Sequence, residues 1–166
     1  MLTADRLREL FRYDPETGTF TRLVARSSNA KAGAIIRGCK TPFGYLVINI
    51  NNKTWMAHRL AWLYVYGEFP PKGMDIDHIN HERSDNRLVN LRLATRSQNH
   101  ANKVKDARNT SGITGVSWYK AYQCWNAQLH VNRKRINLGY FDTLEDAAAA
   151  RSAAEIKYFG EFRRAA

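Results

Sequence analysis

The sequence predicts an α+β fold in two parts, each with its own sheet and its own helix. Three observations carry that expectation. Short stretches of period-two alternation interleave with helix-period segments throughout the 166 residues. The stretch 103–113 is polar and basic with few apolar anchors, which marks a boundary. Beyond it, three strand-like runs precede one capped helix. The expected organisation is a first domain at 1–105, a basic linker at 106–113 and a second domain at 114–166.

Residues 3–12 read as a short helix capped by Thr3, with Leu7, Leu10 and Phe11 on one face. Tyr13 to Phe20 reads as strand, turn, strand, with Asp14-Pro15 and Gly18 supplying the turn chemistry. Residues 26–40 are polar and Gly-containing and read as a loop. Tyr45 to Ile50 and Lys53 to Met56, joined by Asn51-Asn52, read as a hairpin. Ala57 to Gly67 is apolar on most faces after Arg59, the pattern of a buried helix that stops at Gly67. Met74 to Ile79 is a strand, 80–87 a polar loop and Leu91 to Ala94 a second short strand. Thr95-x-x-Gln98 has capping-box spacing, so a helix starts there and runs through Asn102 and beyond. In the second part the strands are Gly115 to Lys120, Trp125 to Val131 and Arg135 to Tyr140, with Asn132-Arg133-Lys134 turning the second into the third. Thr143 caps the last helix, Asp146 sits at the box position, and Gly160 stops it.

Composition narrows the function. A hydrophobic content of 44% suits a folded chain, not a disordered one. Lys and Arg number 26 against 15 Asp and Glu, a net charge of +11, which points to a polyanion and most simply to nucleic acid. No long apolar span and no basic amphipathic helix favours a membrane. Cys39 and Cys124 form no Cys-x-x-Cys pair, which argues against a zinc ribbon or a disulfide scaffold and fits a reducing cytosol. The first residues show no apolar signal core, so the expected location is the cytoplasm.

One stretch carries chemistry. Asp77 and His78 are adjacent, Asn90 follows His78 by twelve positions, and Asn99 follows Asn90 by nine. Asp and Asn oxygens are hard ligands suited to Mg²⁺ or Mn²⁺, and a neighbouring His can take a proton near neutral pH. Alone, Asp77 as a turn cap and His78 as a satisfied polar residue would be the simpler account. The surrounding pattern changes the balance: Asp77-His78-Ile79-Asn80, Asp85-Asn86-Arg87-Leu88, Asn90-Leu91-Arg92 and Thr95-x-x-Gln98-Asn99-x-x-Asn102, preceded by His58-Arg59-Leu60-Ala61-Trp62. Together these resemble the HNH endonucleases, the ββα-metal nucleases, in their phage-encoded branch.

The resemblance implies that His78 is the general base that activates water, that Asp77 and Asn99 hold one divalent cation, and that Asn90 fixes the loop that aims His78. Asn99 stands where the family's last His is found, which favours oxygen-ligated Mg²⁺ or Mn²⁺ over zinc. Related sequences commonly carry Gly at the position of His81, and His accepts left-handed backbone better than most residues. Asn86 reads as structural. Arg59 and Asn102 are candidate DNA contacts.

Residues 114–160 resemble the Apetala/ethylene-response-factor DNA-binding domain, which enters the major groove with its three-stranded sheet. The matching stretches are Thr114-Gly115-Val116-Ser117-Trp118, Trp125-Asn126-Ala127-Gln128-Leu129, Leu138-Gly139-Tyr140-Phe141-Asp142-Thr143 and Glu145-Asp146-Ala147-Ala148. The plant domain's first-strand arginines are replaced here by Thr114, Ser117 and Tyr119, so base preference does not transfer. Alternation puts Val116, Trp118, Trp125, Ala127, Leu129, Val131, Ile136 and Leu138 on the helix face. Ser117, Tyr119, Asn126, Gln128, His130, Arg135 and Asn137 fall on the open face. With Lys120 and Arg133 added, and Asn126 set aside, that open face supplies the candidate DNA contacts. Residues 101–141 hold seven Lys/Arg and one Asp, a net of +6, whereas 142–166 hold four and five, a net of −1. The sheet side therefore suits phosphates better than the helix does.

The expected function is a homing-type DNA endonuclease, phage- or prophage-encoded, acting on double-stranded DNA in a bacterial cytoplasm as a monomer or weak dimer. No membrane and no small-molecule substrate is expected. The alternative is a non-catalytic, regulatory DNA-binding protein with a decayed nuclease half.

Overall fold

A computed structural model describes residues 2–25, 30–101, 109 and 111–163. It divides into two compact units, Met1–Leu93 and Ala94–Ala166. Most of the linker expected at 106–113, and Asn102, lie outside the described residues.

The first unit opens with α1 (Ala4–Leu10), where the Thr3 hydroxyl accepts from the Arg6 N–H at 3.2 Å. This helix is shorter than expected. Phe11 turns extended (φ −142°, ψ 148°) and opens β1 (Phe11–Asp14), yet its ring stays in the core beside Leu7. β1 pairs antiparallel with β2 (Thr19–Arg22) in the register Tyr13↔Phe20. β3 (Ile35–Ile36) pairs with β2, and β4 (Cys39–Lys40) with β5 (Leu46–Ile50). Both short strands lie in the stretch expected to be loop. Each pairs through only two residues, too few for a readable alternation, so the partner strand decides them.

β5 returns as β6 (Lys53–Met56) through Asn51 and Asn52, both left-handed at φ 50° and 60°, the two-residue turn that matches strand twist. α2 (Ala57–Tyr66) follows and ends at Gly67 (φ 83°). Its Leu60, Ala61 and Leu63 pack with Leu7, Phe20, Ile48, Ile76 and Leu91 into one core. β7 (Met74–His78) and β8 (Leu91–Thr95) form a two-stranded sheet, separated by a loop and a 3₁₀ turn at Leu88–Asn90.

The β1–β2 hairpin grips that loop. The Tyr13 hydroxyl donates to the Asn86 carbonyl at 2.7 Å, and the Leu88 N–H donates to the Pro15 carbonyl at 2.9 Å. Gly18, at φ 71°, approaches so closely that a Cβ there would lie 2.5 Å from both Arg87 N and Asn86 C.

The second unit holds α3 (Arg96–Ala101), then β9 (Val116–Tyr119), β10 (Cys124–Val131) and β11 (Lys134–Phe141) in the antiparallel order β11-β10-β9. α4 (Leu144–Phe159), capped by Thr143, lies along one face. Its alanines allow close approach: Ala147 packs with Val116 and Ala127, and Ala154 with Leu129. Trp118, expected on the helix face, is instead 46% exposed at the sheet edge, meeting Trp125 edge-on at 5.1 Å.

β11 carries one extra residue. Asn137 pairs with Gln128 but Gly139 with Ala127, so Leu138 is a bulge. The Asn137 Oδ1 accepts from Asn126 Nδ2 at 2.9 Å and from the Gly139 N–H at 3.2 Å, which satisfies donors at the bulge. The Arg151 guanidinium donates to the Gln128 carbonyl beside it. The bulge resets the alternation. Tyr140 pairs with Asn126 and so lies on the open face, where uninterrupted alternation from Arg135 would have turned it toward α4.

Gly18→Ala is expected to lower the unfolding free energy by roughly 2 kcal/mol or more, from positive-φ strain plus collision with backbone. Gly44→Ala, with comparable φ but nothing within 4 Å of the added Cβ, is expected to cost only about 1 kcal/mol. Urea denaturation of the two variants measures the difference.

Candidate active site

β7 ends in Asp77 and His78, both 5% exposed. Two ionisable groups held this far from water need partners. Asp77 has Arg92 on the paired strand: both Nε and Nη2 lie 3.0 Å from Asp77 Oδ2.

His78 Nε2 lies 3.5 Å from Asn86 Oδ1. Asn86 is buried, and its Nδ2 donates to the Ser84 carbonyl at 3.1 Å, which turns Oδ1 toward the imidazole. An acceptor there puts the ring proton on Nε2 and the basic lone pair on Nδ1. Burial is the main influence on His78 and holds its pKa below the ordinary imidazole range, against the opposing pull of Asn86 and Asp77. The ring is therefore neutral at pH 7, the form a general base requires.

The loop after His78 is pinned by Asn90. Its Oδ1 accepts from the Asn80 N–H at 3.0 Å, its Nδ2 donates to the Asp85 carbonyl at 2.8 Å, and its own carbonyl accepts from the Ile79 N–H at 3.0 Å. His81 takes the left-handed conformation (φ 66°) read from the sequence, while its N–H donates to the His78 carbonyl. Asp85 receives Asn80 Nδ2 and the Arg87 guanidinium, and Arg87 above all holds the Asp85 carboxyl down to about 2.

Three further side chains close around His78. Tyr45 lies 5.9 Å from it and His58 5.1 Å, ring centre to ring centre, with the two imidazoles edge to face. The Arg83 guanidinium stacks 5.1 Å over Tyr45 and donates to the Phe43 carbonyl. His58 is 8% exposed, and its Nδ1 has no hydrogen-bond partner among the described residues. Burial, His78 and Arg59 push its pKa down to about 3.

Asp77, His78 and Asn90 are thus brought together in the first unit. Asn99 sits half-buried on α3, in the second unit. Arg59 lies on α2 with its guanidinium 5.4 Å over Phe69, itself stacked on Trp55. Ser117, Tyr119, Lys120, His130, Arg133, Arg135 and Asn137 are exposed on the second unit's sheet and turns, and Gln128 is half-buried. Among the described residues no group of three or more His, Cys, Asp or Glu side chains is gathered to hold a metal. A cation beside Asp77 would thus draw on amide, water or phosphate oxygens, a donor set that fits Mg²⁺ or Mn²⁺.

Sequence reasoning did not single out Arg92, Tyr45 or Arg83, and it gave Asn86 no link to His78. Arg92 was within reach, since paired strands bring facing residues together, but the register across a twelve-residue loop is not readable from composition. Tyr45 and Arg83 meet the site only through tertiary packing.

The HNH endonuclease family matches residues 56–101, a span that contains Asp77, His78, Asn90 and Asn99. Protein 3.8 of Escherichia phage T7 is 36% identical over 91 residues, 55% of this chain and 74% of that protein. The uncharacterized HNH endonuclease L560 of Acanthamoeba polyphaga mimivirus is 32% identical over 107 residues, 63% of this chain and 54% of its own length. The chain thus spans about half of the mimivirus protein. A solved structure of DNA binding and cleavage by the HNH homing endonuclease I-HmuI is 22% identical, covering 55% of this chain and 50% of that one at a TM-score of 0.41.

His58 sets an acid limit on stability. Its folded pKa, about 3, lies below the unfolded 6.5, so the unfolded chain takes up a proton that the folded chain refuses. The contribution is complete above pH 6.5 and is lost as pH falls toward 3. Between pH 7 and 5 this costs about 2 kcal/mol. Urea titrations at both pH values are expected to show a smaller loss for His58→Leu than for wild type.

Proposed function

The chain belongs to the HNH endonuclease family, and from that premise we propose that it hydrolyses phosphodiester bonds of double-stranded DNA with His78 as general base and one divalent cation, Mg²⁺ or Mn²⁺. The observation that carries the reading is the placement of His78: buried at the end of β7, with Nε2 facing Asn86 Oδ1, and next in sequence to the buried carboxylate of Asp77.

In this reading His78 Nδ1 takes a proton from water as the water oxygen attacks phosphorus and the bond to the departing sugar oxygen breaks. Asp77 and Asn99 would hold the ion, and Arg92 orients Asp77. The ion, when bound, supplies positive charge that stabilises the phosphate and the departing oxygen. Asn90 acts one step back by holding the loop that positions His78. In the same reading, Arg83, Arg59 and Asn102 contact the DNA backbone.

Residues 114–166 act, in the same reading, as a sheet-based DNA-binding domain of the Apetala/ERF type, joined through 106–113. Charge supports this: from Val116 to Phe141 the chain carries Lys120, Arg133, Lys134 and Arg135 and no Asp or Glu. Ser117, Tyr119, Gln128, His130 and Asn137 share that side of the molecule's chemistry as polar contacts. Relatives encoded by a bacteriophage and a mimivirus support a mobile, homing-type element. The bacterial cytoplasm is its proposed place of action. No helix among the described residues is long and apolar enough to cross a membrane.

Supercoiled plasmid bearing a cognate site, incubated with Mg²⁺ or Mn²⁺, is expected to be cut by wild type and left essentially intact by His78→Ala, a rate loss of at least about 10²-fold. Equal activity would remove His78 from the role of general base, and equal inertness would return the chain to the non-catalytic DNA-binding reading. For the sheet, Arg133→Ala combined with Arg135→Ala is expected to weaken binding and to reduce the slope of log affinity against log salt by about 2. Fluorescence anisotropy across a salt series measures it.

A further inference from the structure

The open face of the second unit's sheet carries a feature that duplex binding alone does not require. Tyr119 at the end of β9, Tyr122 in the following turn and Tyr140 on β11 gather their rings at one corner of that face. Ring centres are 5.3 Å apart for Tyr119–Tyr122, 5.7 Å for Tyr119–Tyr140 and 6.5 Å for Tyr122–Tyr140. Two local devices build the group. The tight turn through Gln123 (φ 49°), with the Tyr122 N–H donating to the Tyr119 carbonyl, folds Tyr122 back. The Leu138 bulge delivers Tyr140 opposite Asn126, diagonal to Tyr119 across β10.

The rings could serve simply to shelter Cys124, the buried residue opposite Tyr119. Exposure decides against that as their whole role. Tyr119, Tyr122 and Tyr140 remain 41%, 73% and 54% exposed. Aromatic area held in water by three neighbouring residues is the signature of a surface awaiting a partner.

We propose that Tyr119, Tyr122 and Tyr140 form a stacking platform for an unpaired base of a DNA strand. The partner must present flat π-faces. Bases inside a duplex offer only their edges in the grooves, whereas an unpaired base offers its face. Charge complements the rings. Lys120 lies in the same turn, and His130 pairs with Arg135 further along the face, four residues up β10 from the Asn126–Tyr140 pair, about 13 Å by strand rise. A strand held at the tyrosines can therefore run past Gln128 toward Arg135 with its phosphates on basic side chains. The choice of DNA over other nucleic acid rests on the nuclease reading, in which strand cleavage itself creates frayed, unpaired ends.

The test uses the full chain in EDTA, with fluorescein-labelled oligonucleotides read by anisotropy. A single strand, the same strand with abasic sites and the matching duplex are compared. Tyr119→Ala and Tyr140→Ala are each expected to weaken single-strand binding roughly tenfold, and the corresponding Phe variants to retain it, since stacking needs the ring and not the hydroxyl. The abasic strand is expected to bind wild type as weakly as the Ala variants bind the normal strand. Circular dichroism melts of the Ala variants report folding separately, and the Phe and abasic comparisons hold whether or not those variants fold. Equal affinity for abasic and normal strands overturns the proposal, as does single-strand binding unchanged in Ala variants that fold. A plasmid cleavage assay run beside it separates the two readings: an inactive wild type that discriminates abasic strands sinks the nuclease reading alone, and an active one that does not discriminate sinks the platform alone.

Discussion

The side-chain amide of Asn90 joins the two ends of the loop that follows β7, accepting from the Asn80 N–H and donating to the Asp85 carbonyl. A polar loop of this length, left to itself, samples many conformations. Buried, and engaged through both its oxygen and its nitrogen, the amide converts it into a closed ring, and the position of His78 depends on that ring. Asn86, which faces His78 Nε2, is carried on the same loop. Its main-chain carbonyl is gripped from the other side by the Tyr13 hydroxyl. The amino-terminal hairpin, remote in sequence, is thereby part of the machinery that orients the imidazole.

Burial sets the chemistry of the site. Asp77 and His78 lie at the end of a strand whose Ile76 belongs to the core, so neither is well solvated. The two respond differently. Asp77 keeps a partner in Arg92, which compensates its charge within hydrogen-bond distance. His78 has Asn86, a neutral acceptor, and desolvation outweighs it, leaving the ring uncharged. His58 shows the same effect more strongly: burial above all, with His78 edge-on to it and Arg59 beside it, keeps its ring uncharged. An uncharged His beside an anchored carboxylate is the arrangement on which the proposed water activation rests.

The second unit solves a different problem. Its sheet has one face committed to α4 through Val116, Ala127 and Leu129, which leaves the other face to carry whatever the unit binds. The bulge at Leu138 lets β11 serve both faces. It keeps Leu138 in the core and turns Tyr140 outward. Arg151 and Asn137 also satisfy main-chain groups around that bulge.

Much of the fold was legible because local chemistry specifies it. The caps Thr3 and Thr143, the stops Gly67 and Gly160, and the Asn51-Asn52 turn act within a few residues of themselves, so their types and spacing suffice. The adjacency of Asp77 and His78, the spacing to Asn90 and the left-handed backbone at His81 were readable for the same reason. What the sequence could not decide depends on partners far along the chain. The short strands β3 and β4 exist only because β2 and β5 offer an edge. The contact of Tyr13 with Asn86 spans 73 positions, and the ion pair of Arg92 with Asp77 rests on a strand register that composition does not encode. A single extra residue in β11 reversed the face of Tyr140. Period-two reasoning fails at a bulge because the pattern it counts is interrupted by the backbone, not by the side chains.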